Sequence, residues 1–233
     1  MAGSWREFWN RDSAIYVNDR HRMLHYAGLA DEVAALVPHG RASVLDHGCG
    51  EALAAERVAR VCGRLHLCDG APRVRDALQA RFAGESRVSV LAPEDLAALA
   101  DGSLDLVVAN SLIQYLGPAE FGACLALWHG KLAGDGRLIL ADIIPPDLST
   151  LADARALLAF GRSGGFLGAA LLGLVRTALS DYRTLRRSLG LARYTEAEML
   201  TRLRAAGFVA RRLPRNLGHN QARMAFEARR APA

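Results

Sequence analysis

Val44-Leu45-Asp46-His47-Gly48-Cys49-Gly50-Glu51-Ala52 is the stretch that decides the fold. A short apolar run ends in a carboxylate, turns through two glycines and opens onto an alanine-rich segment of helical character. That order describes a strand, a tight loop and a helix start. The glycines let the backbone come close to a ligand, and a helix N-terminus behind them offers unpaired N–H groups and the positive end of a dipole. A Gly-x-Gly turn also fits an ordinary strand-to-helix connection, so its neighbours must supply the meaning.

Outward from that loop the chain alternates strand and helix. Val44 to Asp46 reads as the first strand and Ala52 to Cys62 as a helix with Glu56, Arg57 and Arg60 on its wet side. Leu65 to Asp69 is a second strand. Gly70 and Pro72 then suit a helix start, followed by Val74, Ala77, Leu78 and Phe82 at helical spacing. Val88 to Leu91 and Leu104 to Ala109 are the third and fourth strands. Phe121, Cys124, Leu125, Trp128 and Leu132 repeat as one buried helical face, and Leu138 to Asp142 is the fifth strand. Apolar strands between amphipathic helices mean a parallel sheet covered on both faces. Right-handed crossovers bring all these strands to the same edge, where ligands of such folds bind. Asp46, Asp69, Asn110 and Asp142, at the strand ends, are therefore expected along one rim.

The chain reads as a single domain with four parts. Residues 1–40 carry Trp5, Phe8, Trp9, Tyr16 and Tyr26 and a helical pattern through Met23, Leu24, Val33, Leu36 and Val37, a cap over the 41–146 core. Residues 147–190 form a helical insertion after Pro145-Pro146. Its centre, Ser163 to Val175, is uncharged and rich in Leu and Gly, with Arg155, Arg162, Arg176, Arg183, Arg186 and Arg187 around it. Thirteen residues are too few to span a bilayer, which needs about 20. A greasy substrate lid, an interfacial membrane helix and a buried helical hairpin all fit. Residues 191–233 hold the capping box Thr195-Glu196-Ala197-Glu198, a helix closed by Gly207, and strands Phe208 to Leu213 and Arg223 to Ala228. Their short connection requires one of the pair to run antiparallel to the rest. If the first of them follows the parallel set, Asn216, His219 and Asn220 emerge beside the ligand.

Composition narrows the partners little. The net charge is +5, carried by arginines and the single lysine Lys131. A basic balance admits acidic substrates, nucleic acid or anionic lipid. Cys49, Cys62, Cys68 and Cys124 have no C-x-x-C spacing, so no metal site is expected and reduced thiols fit a cytoplasmic protein. The aromatic, charged start lacks the apolar core of a signal peptide.

Two cofactor classes use a strand, glycine loop and helix with an acid closing the next strand. In both, Asp69 would hold vicinal ribose hydroxyls. A dinucleotide site needs a third small residue at position 53, where this chain has Leu53, which crowds helix against strand.

Residues 42–142 resemble a class I S-adenosylmethionine-dependent methyltransferase. Asp46-x-Gly48-x-Gly50-x-Ala52 is similar to that family's first motif, and Asp69 matches its ribose-binding acid. Asp101-Gly102-Ser103-Leu104-Asp105-Leu106-Val107-Val108 and Gly134-Asp135-Gly136-Arg137-Leu138 resemble the runs into its fourth and fifth strands. The family usually has Gly at the place of Ala52 and Asp at the place of Ala92. The resemblance implies a Rossmann-like, doubly wound, mostly parallel seven-stranded sheet with an antiparallel last strand, and S-adenosylmethionine as cofactor. It implies cofactor contacts from Asp46, Gly48, Cys49, Gly50, Asp69, Gly70, Pro93, Glu94 and Asn110, with Pro93 or Glu94 serving adenine in place of the missing acid.

Such an enzyme mainly aligns donor and nucleophile and excludes water, with a base where the acceptor is protonated. His219 and Asp142 are the candidate bases, His219 first; His129 fits the outer face of its helix. Tyr16, Tyr26, Tyr115 and Phe166 are expected to touch the acceptor, and His21 to lie with the cap tyrosines over the cofactor. The chain lacks the Asn/Asp-Pro-Pro-aromatic run of nucleic-acid amine methylases, having Asn110-Ser111-Leu112-Ile113, and no basic strip interleaved with aromatics. The expected acceptor is therefore a small, hydrophobic or lipid-like molecule methylated at oxygen or carbon, with peripheral membrane contact as a further expectation. The alternatives are a nicotinamide-dependent reductase and a membrane-associated, non-catalytic binding protein of the same fold.

Overall fold

The computed structural model describes residues 16–179 and 191–232. Trp5, Phe8, Trp9, Arg183, Arg186 and Arg187 lie outside the described residues. The strands are β1 (Ser43–His47), β2 (Arg64–Cys68), β3 (Val88–Leu91), β4 (Leu104–Asn110), β5 (Leu132–Ile143), β6 (Phe208–Arg212) and β7 (Met224–Arg230). They form one sheet of order β3-β2-β1-β4-β5-β7-β6. β1 pairs parallel with β2 and β4, β2 with β3, and β4 with β5, whereas β7 lies antiparallel to both β5 and β6. β7 alone therefore runs against the others. Strand order reverses between β1 and β4, so the crevice above their carboxyl ends is where a ligand fits.

Alternation along the central strands builds a core on each face. Leu106 and Val108 of β4 join Val44, Leu65, Leu67 and Ile139 on one side. Val107 and Ala109 point the other way, into a cluster with Leu138, Leu140, Phe121, Trp128 and Phe226. The helix Pro118–Lys131 supplies that second face.

The helices are α1 (Asp19–Leu36), α2 (Ala55–Ala59), α3 (Pro72–Arg81), α4 (Pro118–Lys131), α5 (Thr150–Gly164), α6 (Leu167–Leu179) and α7 (Glu196–Ala205). Phe121, Leu125 and Trp128 of α4 are buried at the spacing read from the sequence. In α1 the buried face is His21, Tyr26, Ala30 and Val33, and Met23 is 57% exposed. That corrects the apolar face read through Met23: two histidines and a tyrosine share the turn, and the polar rings face inward.

Two further bounds differ from the sequence reading. The helix expected from Ala52 starts only at Ala55, because Gly48, Gly50 and Ala52 all have left-handed backbone, at φ of 82°, 57° and 41°. A residue in that conformation cannot open a right-handed helix. β5 begins at Leu132 rather than Leu138, its pairing with β4 shifting register between Leu104 and Leu106.

The insertion is a helical hairpin. Ser149 caps α5 by accepting from the Ala152 N–H, and Gly165, at φ 72°, reverses the chain into α6. No helix among the described residues is long and apolar enough to cross a membrane.

Candidate functional site

The four strand-end residues meet. Asp46, Asp69, Asn110 and Asp142 all line one cavity of ≈ 580 Å³ over the carboxyl edge of β1, β2, β4 and β5. Gly48, Cys49, Gly50 and Gly70 line it too, with Pro93, Tyr16, Tyr26, Tyr115 and His219.

The glycine loop is held from both sides. The N–H groups of Gly48 and Cys49 donate to the Cys68 carbonyl at 2.7 and 3.1 Å, tying the loop to the end of β2. The Asp69 carboxylate accepts from Gly50 N–H at 2.9 Å and Ala71 N–H at 2.8 Å. Tyr26 closes over the loop: its hydroxyl accepts from Glu51 N–H at 3.1 Å, and a Cβ on Gly50 would stand 2.8 Å from that oxygen. Glycine at position 50 therefore answers both a left-handed backbone and a close approach. Ala52 keeps the same handedness with a side chain, and Arg81 fastens the turn by donating to the carbonyls of Glu51, at 3.0 Å, and Ala52. Burial raises the Asp69 carboxyl above the usual carboxylate range, against its two backbone hydrogen bonds. Burial, and then the charge of Asp69, raise Asp46 to about 7.

The far rim carries strain. Ser111 and Asp142, just past β4 and near the end of β5, have φ of 56° and 61°. Each left-handed non-glycine residue costs about 1–2 kcal/mol and persists only where its surroundings over-determine it. Those surroundings are a polar network: Ser111 Oγ donates to Asp142 Oδ2 at 2.6 Å, and Arg223 Nη1 donates to the same oxygen at 2.7 Å. Arg223 also reaches Asp153 of α5 at 3.4 Å, and Asn216 accepts from Asp142 N–H at 2.9 Å. Asp142 thus anchors a part-buried arginine instead of offering a free carboxylate, which corrects its placement as a base. Asn110 Oδ1 and Gln114 Oε1, from residues on the same wall, are buried without a hydrogen-bond partner among the described residues.

The cap supplies a ring of aromatics and imidazoles. His219 from the 214–222 loop lies 6.0 Å from His21 and 6.1 Å from His25, ring centre to ring centre, and stacks on Phe160 at 4.6 Å. Tyr16 packs at 5.3 Å on His21, 5.5 Å on His25 and 5.8 Å on Tyr26. Burial lowers His21 and His25 to about 4, and lowers His219 as well, so all three are neutral imidazoles at pH 7. Burial likewise pushes Cys49 and Cys124, both on the wall, upward, Cys124 to about 11, which leaves them as unreactive thiols.

Two expected contacts lie elsewhere. Phe166 is buried against His21 and Phe160, at 5.0 and 5.3 Å between ring centres, behind the cavity wall, because the left-handed Gly165 turns it inward. Glu94 is exposed and off the wall, since Pro93 starts a 3-10 turn, Pro93–Ala98, that carries it outward. His129 packs on Phe208, away from the cavity. The sequence reading passed over His25, Ser111, Gln114, Asp153 and Arg223. Of these only His25 left a signal, four residues after His21 and so on the same helical face.

The methyltransferase-domain family model matches residues 45–140. An uncharacterized methyltransferase of Mycobacterium tuberculosis is 32% identical over 126 residues, which cover 54% of this chain and 61% of that protein. The chain thus spans about three fifths of the length of the curated relative it matches. Among solved structures, magnesium protoporphyrin IX methyltransferase from Synechocystis with bound S-adenosylhomocysteine superposes with a TM-score of 0.59. It is 20% identical, over 97% of this chain and 93% of that one. The mitomycin 7-O-methyltransferase structure gives a TM-score of 0.62 at 18% identity, over 98% of this chain and 61% of that one. At these identities the likeness establishes the fold.

Proposed function

We propose that this class I S-adenosylmethionine-dependent methyltransferase core, residues 45–140, transfers a methyl group to a small acceptor in the cavity above β1 and β4. The observation that carries the proposal is the pairing of the Asp69-braced glycine loop with unpartnered acceptor atoms on Asn110 and Gln114 around one cavity. Those atoms fit a ligand that brings hydrogen-bond donors.

S-adenosylmethionine supplies a methyl group already activated by its positive sulfur. Asp69 would hold the ribose hydroxyls, and Asp46, Asn110 and the Gly48–Gly50 backbone the amino-acid end. Pro93 offers apolar surface to the base. Negative charge from Asp46 and Asp69 suits a cationic ligand, and Arg223 is neutralised by Asp142 and Asp153. Leu29, Leu112, Leu116, Leu127, Leu157 and Leu217 give the cavity an apolar lining that excludes water and favours an apolar acceptor, methylated at oxygen or carbon. His219 stands as the base for a protonated acceptor, with Tyr16, Tyr26 and Tyr115 around it. The match over 45–140 weighs against the nicotinamide alternative. Calorimetry with S-adenosylhomocysteine tests the reading: one saturable site per chain supports it, and no heat and no thermal shift at millimolar ligand overturns it.

One observation favours membrane contact as well. Leu167, Leu171, Leu172 and Val175 form an exposed stripe on α6, and Arg155, Arg162 and Arg176 of the same hairpin are exposed. Sedimentation with phosphatidylglycerol vesicles should carry the protein down at low salt, less so after Leu171→Glu; a protein that stays in the supernatant contradicts the contact.

A further inference from the structure

A second cavity, ≈ 380 Å³, opens between α1 and α5. Leu24, Ala156 and Phe160 give it an apolar wall, with Glu32 and Arg215 among its polar groups. Four residues line both cavities: His25, Leu29, Gly218 and His219. Methyl transfer needs donor carbon and acceptor atom about 3–3.5 Å apart. If the first cavity holds the donor and the acceptor's reacting atom, and the second the acceptor's body, the acceptor crosses at the residues the cavities share. Only His25 and His219 among these carry a group that can take a proton. His219 lies flat on Phe160, the planes 7° apart, so the second cavity presents planar rings where it borders the first.

A separate observation comes from Gly28. It sits in the interior of α1 and lines the second cavity. A helix-interior glycine is about 1 kcal/mol worse than alanine. A Cβ there would meet nothing within 4 Å, so no packing requires the glycine. Its missing side chain leaves the second cavity open.

We infer that the second cavity holds the body of the acceptor, and that it takes a planar, largely apolar compound whose ring hydroxyl reaches into the first cavity between His25 and His219. This rests on the methyl-transfer reading above. The hydroxyl proton passes to one imidazole, an oxygen lone pair forms the new C–O bond, and the electron pair of the broken C–S bond goes to sulfur, leaving a neutral thioether. The imidazolium then returns its proton to water. As weak bases the two imidazoles suit an acidic ring hydroxyl better than an aliphatic alcohol.

The experiment titrates 2-naphthol into the 233-residue chain by calorimetry, with and without S-adenosylhomocysteine. Wild type is expected to bind it, and to bind its saturated analogue 2-decalol at least tenfold more weakly. Gly28→Leu, which fills the cavity while favouring the helix, should weaken 2-naphthol at least tenfold and leave S-adenosylhomocysteine affinity unchanged. Phe160→Ala should weaken it as well, and Gly28→Ala should stay within threefold of wild type. No binding of 2-naphthol to wild type, equal binding of 2-decalol, or undiminished binding to Gly28→Leu and Phe160→Ala overturns the inference. Loss of S-adenosylhomocysteine binding in wild type contradicts the methyl-transfer reading instead, since the 2-naphthol titration without it still reports on the second cavity.

Discussion

On the side of the cavity built by β1 and β2, burial raises two carboxylates, Asp46 and Asp69. On the side built by α1 and the 214–222 loop, burial lowers three imidazoles, His21, His25 and His219. The same force acts in opposite directions because it always disfavours the charged form. One side holds a carboxylate near its titration point, ready to ionise against a cation. The other side stays free of positive charge at neutral pH. A cavity arranged this way suits a cationic group at one wall and a neutral one at the other, in keeping with the proposed sulfonium donor and uncharged acceptor.

The comparison can be broken most severely at the network that joins the two sides. Arg223→Met leaves Asp142 and Asp153 without their part-buried partner, and should cost about 1.5–3 kcal/mol of stability by denaturant unfolding, the range for a hydrogen bond to a charged group. A change under about 1 kcal/mol would mean that the pair is not held as described. Gly50→Ala attacks the carboxylate side. It forces a side chain into left-handed backbone against the Tyr26 hydroxyl, and should lower stability by about 1–2 kcal/mol and S-adenosylhomocysteine affinity at least thirtyfold. Adding Tyr26→Phe should recover part of both losses; no recovery would remove the hydroxyl from the account. Asp69→Asn should weaken S-adenosylhomocysteine by about tenfold to a hundredfold, the range for losing a charged hydrogen-bond acceptor.

Much of the carboxylate side was legible in the sequence and little of the other. Asp46, Asp69 and Asn110 follow from a local rule, that residues closing parallel strands share an edge, and the glycines follow from backbone geometry. Asp142 was found by the same rule, but its role was not. Its ion pair depends on which of many arginines leads into β7, and nothing local to Arg223 marks it. Ser111 takes its left-handed conformation from the polar network around it, a tertiary effect without a sequence signature. Phe166 was misplaced because the reading counted apolar residues without the reversal at Gly165, and Glu94 because a 3-10 turn at Pro93 changes its direction. His25 needed only the helical spacing from His21.

Stability against pH gives a smaller effect, with its sign set by the two sides. His21, His25, His47 and His66 are all lowered from 6.5 to about 4 by burial. Their contribution is present above pH 6.5 and is lost as pH falls toward 4. Asp46, raised from 3.8 to about 7, has the opposite sign and loses stability as pH rises across the same range. With His219 also lowered and Asp69 also raised, five imidazoles stand against two carboxylates, so the melting temperature should fall by about 5 °C or more between pH 7 and pH 5. A flat or rising profile on acidification would show that the imidazoles are not buried as neutral groups.

The most direct measurement is S-adenosylhomocysteine affinity by calorimetry from pH 5.5 to 8, in wild type and Asp46→Asn. With Asp46 raised to about 7, binding to the ligand's ammonium should strengthen as pH rises, by up to tenfold per unit below pH 7, and level off above it. The slope should vanish in Asp46→Asn. Absence of binding at every pH, or a slope that survives the substitution, would contradict the assignment of this wall to the cationic donor.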